Sequence, residues 1–257
     1  MERRIPTIDE FINESMQSGK KPLTDKQTKE FNQLGHDVLH KFDDICKKHK
    51  IKWWVDWGTL LGWHRDGDFL PDDGDLDVTM RVEDLTPEFV EDMKSNFIVE
   101  GIGMNINKDL FNIFENDVVT IPARHGIGCA LPTKPGGKTT RKVAGRDFKL
   151  DLWFLYPYKT QYFVMWGNHP FKIPAKFLEK FSKIKIGDRS YNAPSPIDDY
   201  LQYMYVGTWK EPIKRFGWSN YVAKKDVYFL EDIDKNRVFA KHYIYNFKDK
   251  SYSLKEK

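Results

Sequence analysis

Three acids at alternate positions, Asp73, Asp75 and Asp77, run directly into Val78-Thr79-Met80, and no other pattern in the chain constrains it as tightly. In an extended segment, side chains two apart share a face, so Asp75 and Asp77 project side by side. Carboxylates that close repel one another unless they are protonated or bridged by a cation. A hard divalent ion held by one or two carboxylates plus substrate phosphates resolves the repulsion, which points to magnesium, with manganese as a substitute. An acidic turn entering a strand is the plainer reading of an isolated Asp-x-Asp.

The residues upstream shift the balance. Ile51 to Asp56 is strand-like, Gly58-Thr59 follows, and Leu60-Leu61-Gly62-Trp63 has the character of a short helix. Glycine lets a backbone approach a ligand closely, and the first amides of a helix attract anions. The expected order is strand, Gly-Thr turn, helix, loop, then the strand bearing the acids. A phosphate cradle at Gly58 and Thr59 would then lie beside a metal site at Asp75 and Asp77.

This order resembles the nucleotidyltransferase superfamily, and the wording is similar to its LicD/fukutin family. The residues that carry the likeness are Gly58-Thr59-Leu60-Leu61-Gly62, Arg65, and Phe69-Leu70-Pro71-Asp72-Asp73-Gly74-Asp75-Leu76-Asp77. Asp72 stands where the family has tryptophan, and Asp66-Gly67-Asp68 where basic residues are frequent. The resemblance implies an α/β fold, a small mixed β-sheet flanked by helices, with a third carboxylate on a later strand. Asp151, in Lys149-Leu150-Asp151-Leu152-Trp153-Phe154-Leu155-Tyr156, is the candidate. An acid in so apolar and β-prone a run is costly without a ligand or partner. The alternative is a strand-end Asp satisfied by backbone or by Arg146. Asp73 is a further candidate ligand.

Composition sets outer limits. The 257 residues carry a net charge of only +3, too little to imply nucleic-acid binding by the whole surface. The two cysteines, Cys46 and Cys129, have no metal-ligand spacing and fit reduced core thiols better than a disulfide. No run of about 18 apolar residues suggests a transmembrane helix. With no apolar leader after Met1, a cytoplasmic protein is expected. No linker divides the chain, so a single domain over 1–257 is expected, with 1–21 as a flexible N-terminal segment.

Periodicity predicts a long amphipathic helix from Pro22 to Lys50, capped by Thr24 or Asp25, with Phe31, Leu34, Val38, Phe42 and Ile45 on its apolar face. Thr86-Pro87 opens another through about Phe97, and Ser195-Pro196 a third. Residues 98–129 look like short strands, with Phe111, Ile113 and Phe114 apolar. The run from Asp198 to Trp209 resembles the family's closing Tyr-Leu helix and Tyr-Gly-x-Trp, with Val206 inserted. Residues 132–146 hold Lys134, Lys138, Arg141, Lys142 and Arg146 with no acid. They read either as a mobile loop that closes on a pyrophosphate or as a solvated hairpin tip. His64 and His125 are candidates to activate a hydroxyl, against the commoner structural histidine.

By resemblance, the expected reaction is a metal-dependent phosphotransfer. Asp75, Asp77 and Asp151, with Asp73, would hold the ion, and Asp151 would take the hydroxyl proton. Gly58, Thr59, Arg65, Arg141 and Lys142 would contact the donor phosphates. The donor would be a CDP-linked alcohol such as choline, glycerol or ribitol, and the acceptor a sugar hydroxyl of a glycan or glycolipid. Attack on the α-phosphate of a nucleotide is one rival. A non-catalytic glycan- or nucleotide-binding module is the other.

Overall fold

The computed structural model describes residues 23–70, 73–101, 114–115, 118–122, 127–158, 161–166, 169–205, 209–211, 242–246 and 251–254. Residues 1–21, Asp72, Phe111, Ile113, His125 and Val206 lie outside them. Helix α1 (Asp25–His49) begins at an N-cap Thr24 whose side chain accepts from the Gln27 amide, while Gln27 reaches back to the Thr24 backbone. Reciprocal bonds of this kind satisfy two orphan donors at once. Its end is equally defined: Lys47, Lys48 and His49 occupy the last turn and Lys50 turns left-handed. The apolar stripe of Phe31, Leu34, Val38, Leu39, Phe42, Ile45 and Cys46 is buried. At about 1.5–3 kcal/mol per large side chain buried, that packing outweighs helix propensity.

Seven strands form the main sheet. They are β1 (Trp53–Val55), β2 (Asp75–Arg81), β3 (Ile98–Gly101), β6 (Ile127–Ala130), β9 (Lys149–Tyr158), β10 (Gln161–Trp166) and β11 (His169–Ile173). The sheet is mixed, for β2 and β9 run parallel while the other pairings are antiparallel. Between β1 and β2 lies α2 (Trp57–Arg65), and after β2 comes α3 (Pro87–Asn96), with Thr86 as N-cap and Pro87 in its first turn. This is the α/β architecture expected from the sequence. A second, four-stranded sheet joins β4 (Phe114–Glu115) and β5 (Val118–Pro122) to β14 (His242–Asn246) and β15 (Ser251–Leu254).

The parallel register sorts the two faces of the sheet. Leu76, Val78 and Met80 of β2 pair with Leu150, Leu152 and Phe154 of β9, and all six are buried in the core with α1. The alternate residues, Asp75, Asp77, Thr79 and Arg81, pair with Lys149, Asp151, Trp153 and Leu155. One face is thus a continuous apolar seam, and the other carries the acids. The hairpin of β12 (Phe181–Ile186) and β13 (Arg189–Pro194) covers the open edge at β1, where Asn192 Nδ2 donates to the Trp53 carbonyl at 3.0 Å. An uncovered edge would offer unpaired backbone groups to other chains. Helix α4 (Ile197–Tyr205) follows; the Ser195 hydroxyl, expected as its cap, accepts from Ser182 Oγ at 3.0 Å.

The basic segment is built as successive turns. Thr133 N–H donates to Thr139 O, Arg141 N–H to Leu131 O, and Gly137 N–H to Lys134 O. Strands β7 (Lys142–Val143) and β8 (Arg146–Asp147) then pair across Ala144 and Gly145, both left-handed with φ of 50° and 79°. Left-handed geometry at both central residues is the hairpin turn that follows strand twist. Of the two readings, a mobile loop or a hairpin tip, the hydrogen-bonded hairpin is the one observed. Among the described residues, no helix is long and apolar enough to cross a membrane.

Candidate active site

Asp77 and Asp151 stand opposite each other in the parallel register of β2 and β9, and Asp75 lies two residues along on the same face. Asp73 lies close enough to Asp75 for the neighbouring carboxyl to raise its titration. All four residues are half-buried. Beyond Asp151, the neighbouring strand contributes Gly128, which has no side chain to cover the acid. The strand order and register thus place Asp151 beside Asp75 and Asp77.

The electrostatics record the crowding. Burial, then Asp75, and then the charges of Asp77 and Asp151 hold the Asp73 carboxyl well above the ordinary carboxylate range. Burial followed by the Asp75 and Asp151 charges does the same to Asp77, against the opposing hydrogen bond from Trp153. Asp151 is raised by burial and by Asp75, with Lys149 pulling the other way. Such a set suits a hard cation, which would relieve the repulsion and favour the ionised forms. Among the described residues, no three acid, histidine or cysteine side chains are drawn together tightly enough to form a ready-made metal cage. A carboxylate pair completed by substrate phosphates needs no such cage.

Gly58 and Thr59 sit inside the first turn of α2 rather than in a turn preceding it. Both are turned toward the acids. Gly58 N–H donates to Asp77 Oδ2 at 3.0 Å, and the Asp77 amide donates to Thr59 Oγ1 at 2.8 Å. Trp153 Nε1 donates to the other oxygen, Asp77 Oδ1, at 3.0 Å. A methyl group on Gly58 would lie 3.1 Å from Asp73 Oδ2 and 3.2 Å from Asp77 Oδ2. The close approach that calls for glycine is an approach by carboxylates.

The two candidate arginines have partners of their own outside the four acids. Arg65 makes a fork to Asp66, with Nε and an NH2 donating at 2.8 and 2.6 Å, and its other nitrogen reaches the Trp209 carbonyl. Arg141 pairs with Asp37 of α1 at 2.7 Å, and Lys142 lies exposed on β7. Lys149 is the cation whose charge tells on Asp151. His64 pairs with Asp198 of α4 at 2.6 Å and packs beside the Trp209 ring.

Asp56 is the residue the sequence concealed. It is 2% exposed, and its carboxylate accepts from Trp57 N–H, Trp54 Nε1, Thr79 Oγ1 and Tyr200 OH at 2.6–3.1 Å. Burial pushes its carboxyl up, and those four bonds offset part of the shift. Its position as N-cap before an apolar helix was the single available signal; the partners come from Thr79 and Tyr200, remote in sequence.

Residues 50–127 match the family model described as LicD/FKTN/FKRP, nucleotidyltransferase domain. The chain is 26% identical over 201 residues to "Ribitol-5-phosphate transferase FKTN" of Macaca fascicularis, a match covering 76% of this chain and 35% of that protein. The Homo sapiens protein of the same name matches at the same identity and coverage. That of Mus musculus is 25% identical over 197 residues, covering 74% of this chain and 36% of its own length. The chain thus spans about a third of the length of the curated relatives it matches.

Proposed function

The chain belongs to the LicD/fukutin-type family, and on that premise we propose that its acidic face transfers a phospho-alcohol from a CDP-linked donor to a sugar hydroxyl of a glycan or glycolipid. The observation that carries this reading is the rung formed by Asp77 and Asp151, with Asp75 and Asp73 beside it and the head of α2 hydrogen-bonded to it. Ribitol phosphate, the group for which the relatives are named, is the first candidate; glycerol phosphate and phosphocholine are the others.

Asp75 and Asp77 would hold magnesium or manganese together with the donor phosphates, and Asp151, with Asp73, would close on the ion once its charge relieves their repulsion. Such an ion, when bound, neutralises the carboxylates and the donor phosphates and stabilises charge on the leaving nucleotide. The acceptor hydroxyl oxygen bonds to the phosphorus bearing the alcohol. The bond from that phosphorus to the bridging oxygen breaks, and CMP departs with the electron pair. Asp151, whose carboxyl is held above the ordinary range, takes the hydroxyl proton. Gly58 and Thr59 keep Asp77 in place, and a donor phosphate that used the Gly58 amide would have to displace Asp77 from it. Arg65, Arg141 and Lys142 are the proposed phosphate cations, and each arginine must exchange an intramolecular partner to serve.

The test is incubation with CDP-ribitol, CDP-glycerol or CDP-choline, magnesium and candidate glycans, with identification of the released nucleotide. CMP release that disappears in Asp75→Asn and Asp77→Asn supports the reading. Pyrophosphate release from a nucleoside triphosphate, or binding without turnover, overturns it.

A further inference from the structure

Asp77 is not held by its own strand alone. Its carboxylate takes the Gly58 amide and its amide is bonded to Thr59 Oγ1, so its position depends on where the first turn of α2 sits. That turn is strained at its head, for Trp57 has φ of 44°, a left-handed value that a large side chain tolerates poorly. Strain of this kind persists where surrounding contacts over-determine it. Here the contacts converge on Asp56. Its carboxylate accepts from the Trp57 amide at 2.8 Å, and its own amide donates to the Asp77 carbonyl at 3.1 Å. Trp54 and Thr79 bond it from β1 and β2, and Tyr200 OH reaches it from α4 at 2.6 Å.

The tie to α4 is repeated along α2. Asp198 meets His64 near the far end of α2, and the Trp209 carbonyl accepts from Arg65. Tyr200 thus grips α2 at its head, and Asp198 and Trp209 grip it at its tail. Tyr200 is 1% exposed and packs edge-on against Phe177, so its hydroxyl is fixed rather than searching.

We propose that Asp56 and Tyr200 are a positioning pair: together they hold the strained head of α2 so that Gly58 and Thr59 set the orientation of Asp77. Neither touches substrate; each acts through the α2 turn. The role in turnover rests on the phosphotransfer reading, but the positioning itself is measurable without it. A hydrogen bond to a charged group is worth enough that its loss alters a local equilibrium about tenfold or more. Misplacement of a reacting group by a fraction of an ångström has a comparable effect on rate.

Tyr200→Phe removes the hydroxyl and keeps the ring. Thr79→Val removes a second donor from a different element. In amide hydrogen exchange of the metal-free protein, both variants are expected to lose about tenfold protection at the Trp57, Gly58 and Asp77 amides relative to the amides of α1. In CDP-alcohol turnover, kcat should fall by about tenfold with donor KM within about twofold of wild type. Protection unchanged at those three amides, or lost evenly along the chain, overturns the pair. If exchange responds as expected but wild type turns over no donor, the positioning stands and the phosphotransfer reading falls.

Discussion

Gly58 shows how narrowly one residue can be constrained by chemistry rather than by backbone. A methyl there would press on Asp73 and Asp77 at 3.1 and 3.2 Å. Within a helix, alanine gains about 1 kcal/mol over glycine, which roughly offsets that squeeze. Gly58→Ala is therefore expected to fold with little change in Tm and to lose about tenfold or more in kcat/KM, because the acids must shift. Wild-type kinetics in that variant would mean that the contact between Gly58 and the carboxylates does not matter to turnover. Asp151 offers a test in the opposite sense. Its folded carboxyl is raised by burial and by Asp75, above the value of about 3.9 for an unfolded aspartate. The stability tied to that proton is fully present below the unfolded value and is lost as pH rises through the folded one. Asp151→Asn should thus match wild type near pH 4 and exceed it in Tm at pH 8, both in chelator. Thermal melts across that range check the prediction, and a gain independent of pH would show that the charge is not the cause.

Elements differ in how much of themselves the sequence discloses. Helix α1 was legible because its determinants are local: a capping residue at Thr24 or Asp25, settled as Thr24, and the three-and-four spacing of Phe31 to Ile45. The strand bearing Asp75 and Asp77 was legible from alternation, as β9 was from its β-prone apolar run. What stayed hidden depends on contacts made across the fold. Gly58 and Thr59 read as a turn because glycine and threonine favour one, yet Asp56 caps the chain two residues earlier and draws them into the helix. The grip of α4 on α2 joins Tyr200 to Asp56 and Asp198 to His64, pairings that no local pattern encodes. The basic hairpin is the instructive intermediate. Its charges were visible, but its anchorage was not, since Arg141 is paired with Asp37 on α1. A surface pair of this sort is worth about 0–1 kcal/mol, so donor phosphate can compete for the arginine. If it does, Arg141→Ala with Lys142→Ala should lower donor kcat/KM by about tenfold. Asp37→Asn, which releases Arg141, should leave it unchanged or raise it. Unaltered donor kinetics in the double alanine variant would remove the hairpin from the site.

The molecule as a whole concentrates like charge where folding must hold it. Asp73, Asp77 and Asp151 share one face with Asp75, and burial raises the first three. The apolar seam on the reverse of the same strands, Leu76, Val78 and Met80 against Leu150, Leu152 and Phe154, keeps the face assembled despite the repulsion. Stability and ion binding are then linked, because a cation that binds the folded acids and not the unfolded chain stabilises by mass action. At a hundred times its dissociation constant, the gain is about 2.7 kcal/mol, which moves Tm by roughly 5–10 °C in a chain of this size. Protons compete for the same carboxylates. As pH falls toward the ordinary aspartate range, the acids are protonated and relieved of repulsion without the ion, so the gain should shrink. Thermal melts with magnesium or manganese against chelator, from pH 5 to pH 8, should show the widest separation at the alkaline end. Asp77→Asn should reduce that separation most, since Asp77 stands opposite Asp151 and is bonded to the head of α2. Equal melting with and without ion at every pH, both in the absence and in the presence of a CDP-alcohol donor, would rule out a divalent site on this face, and the phosphotransfer would then need another source of positive charge.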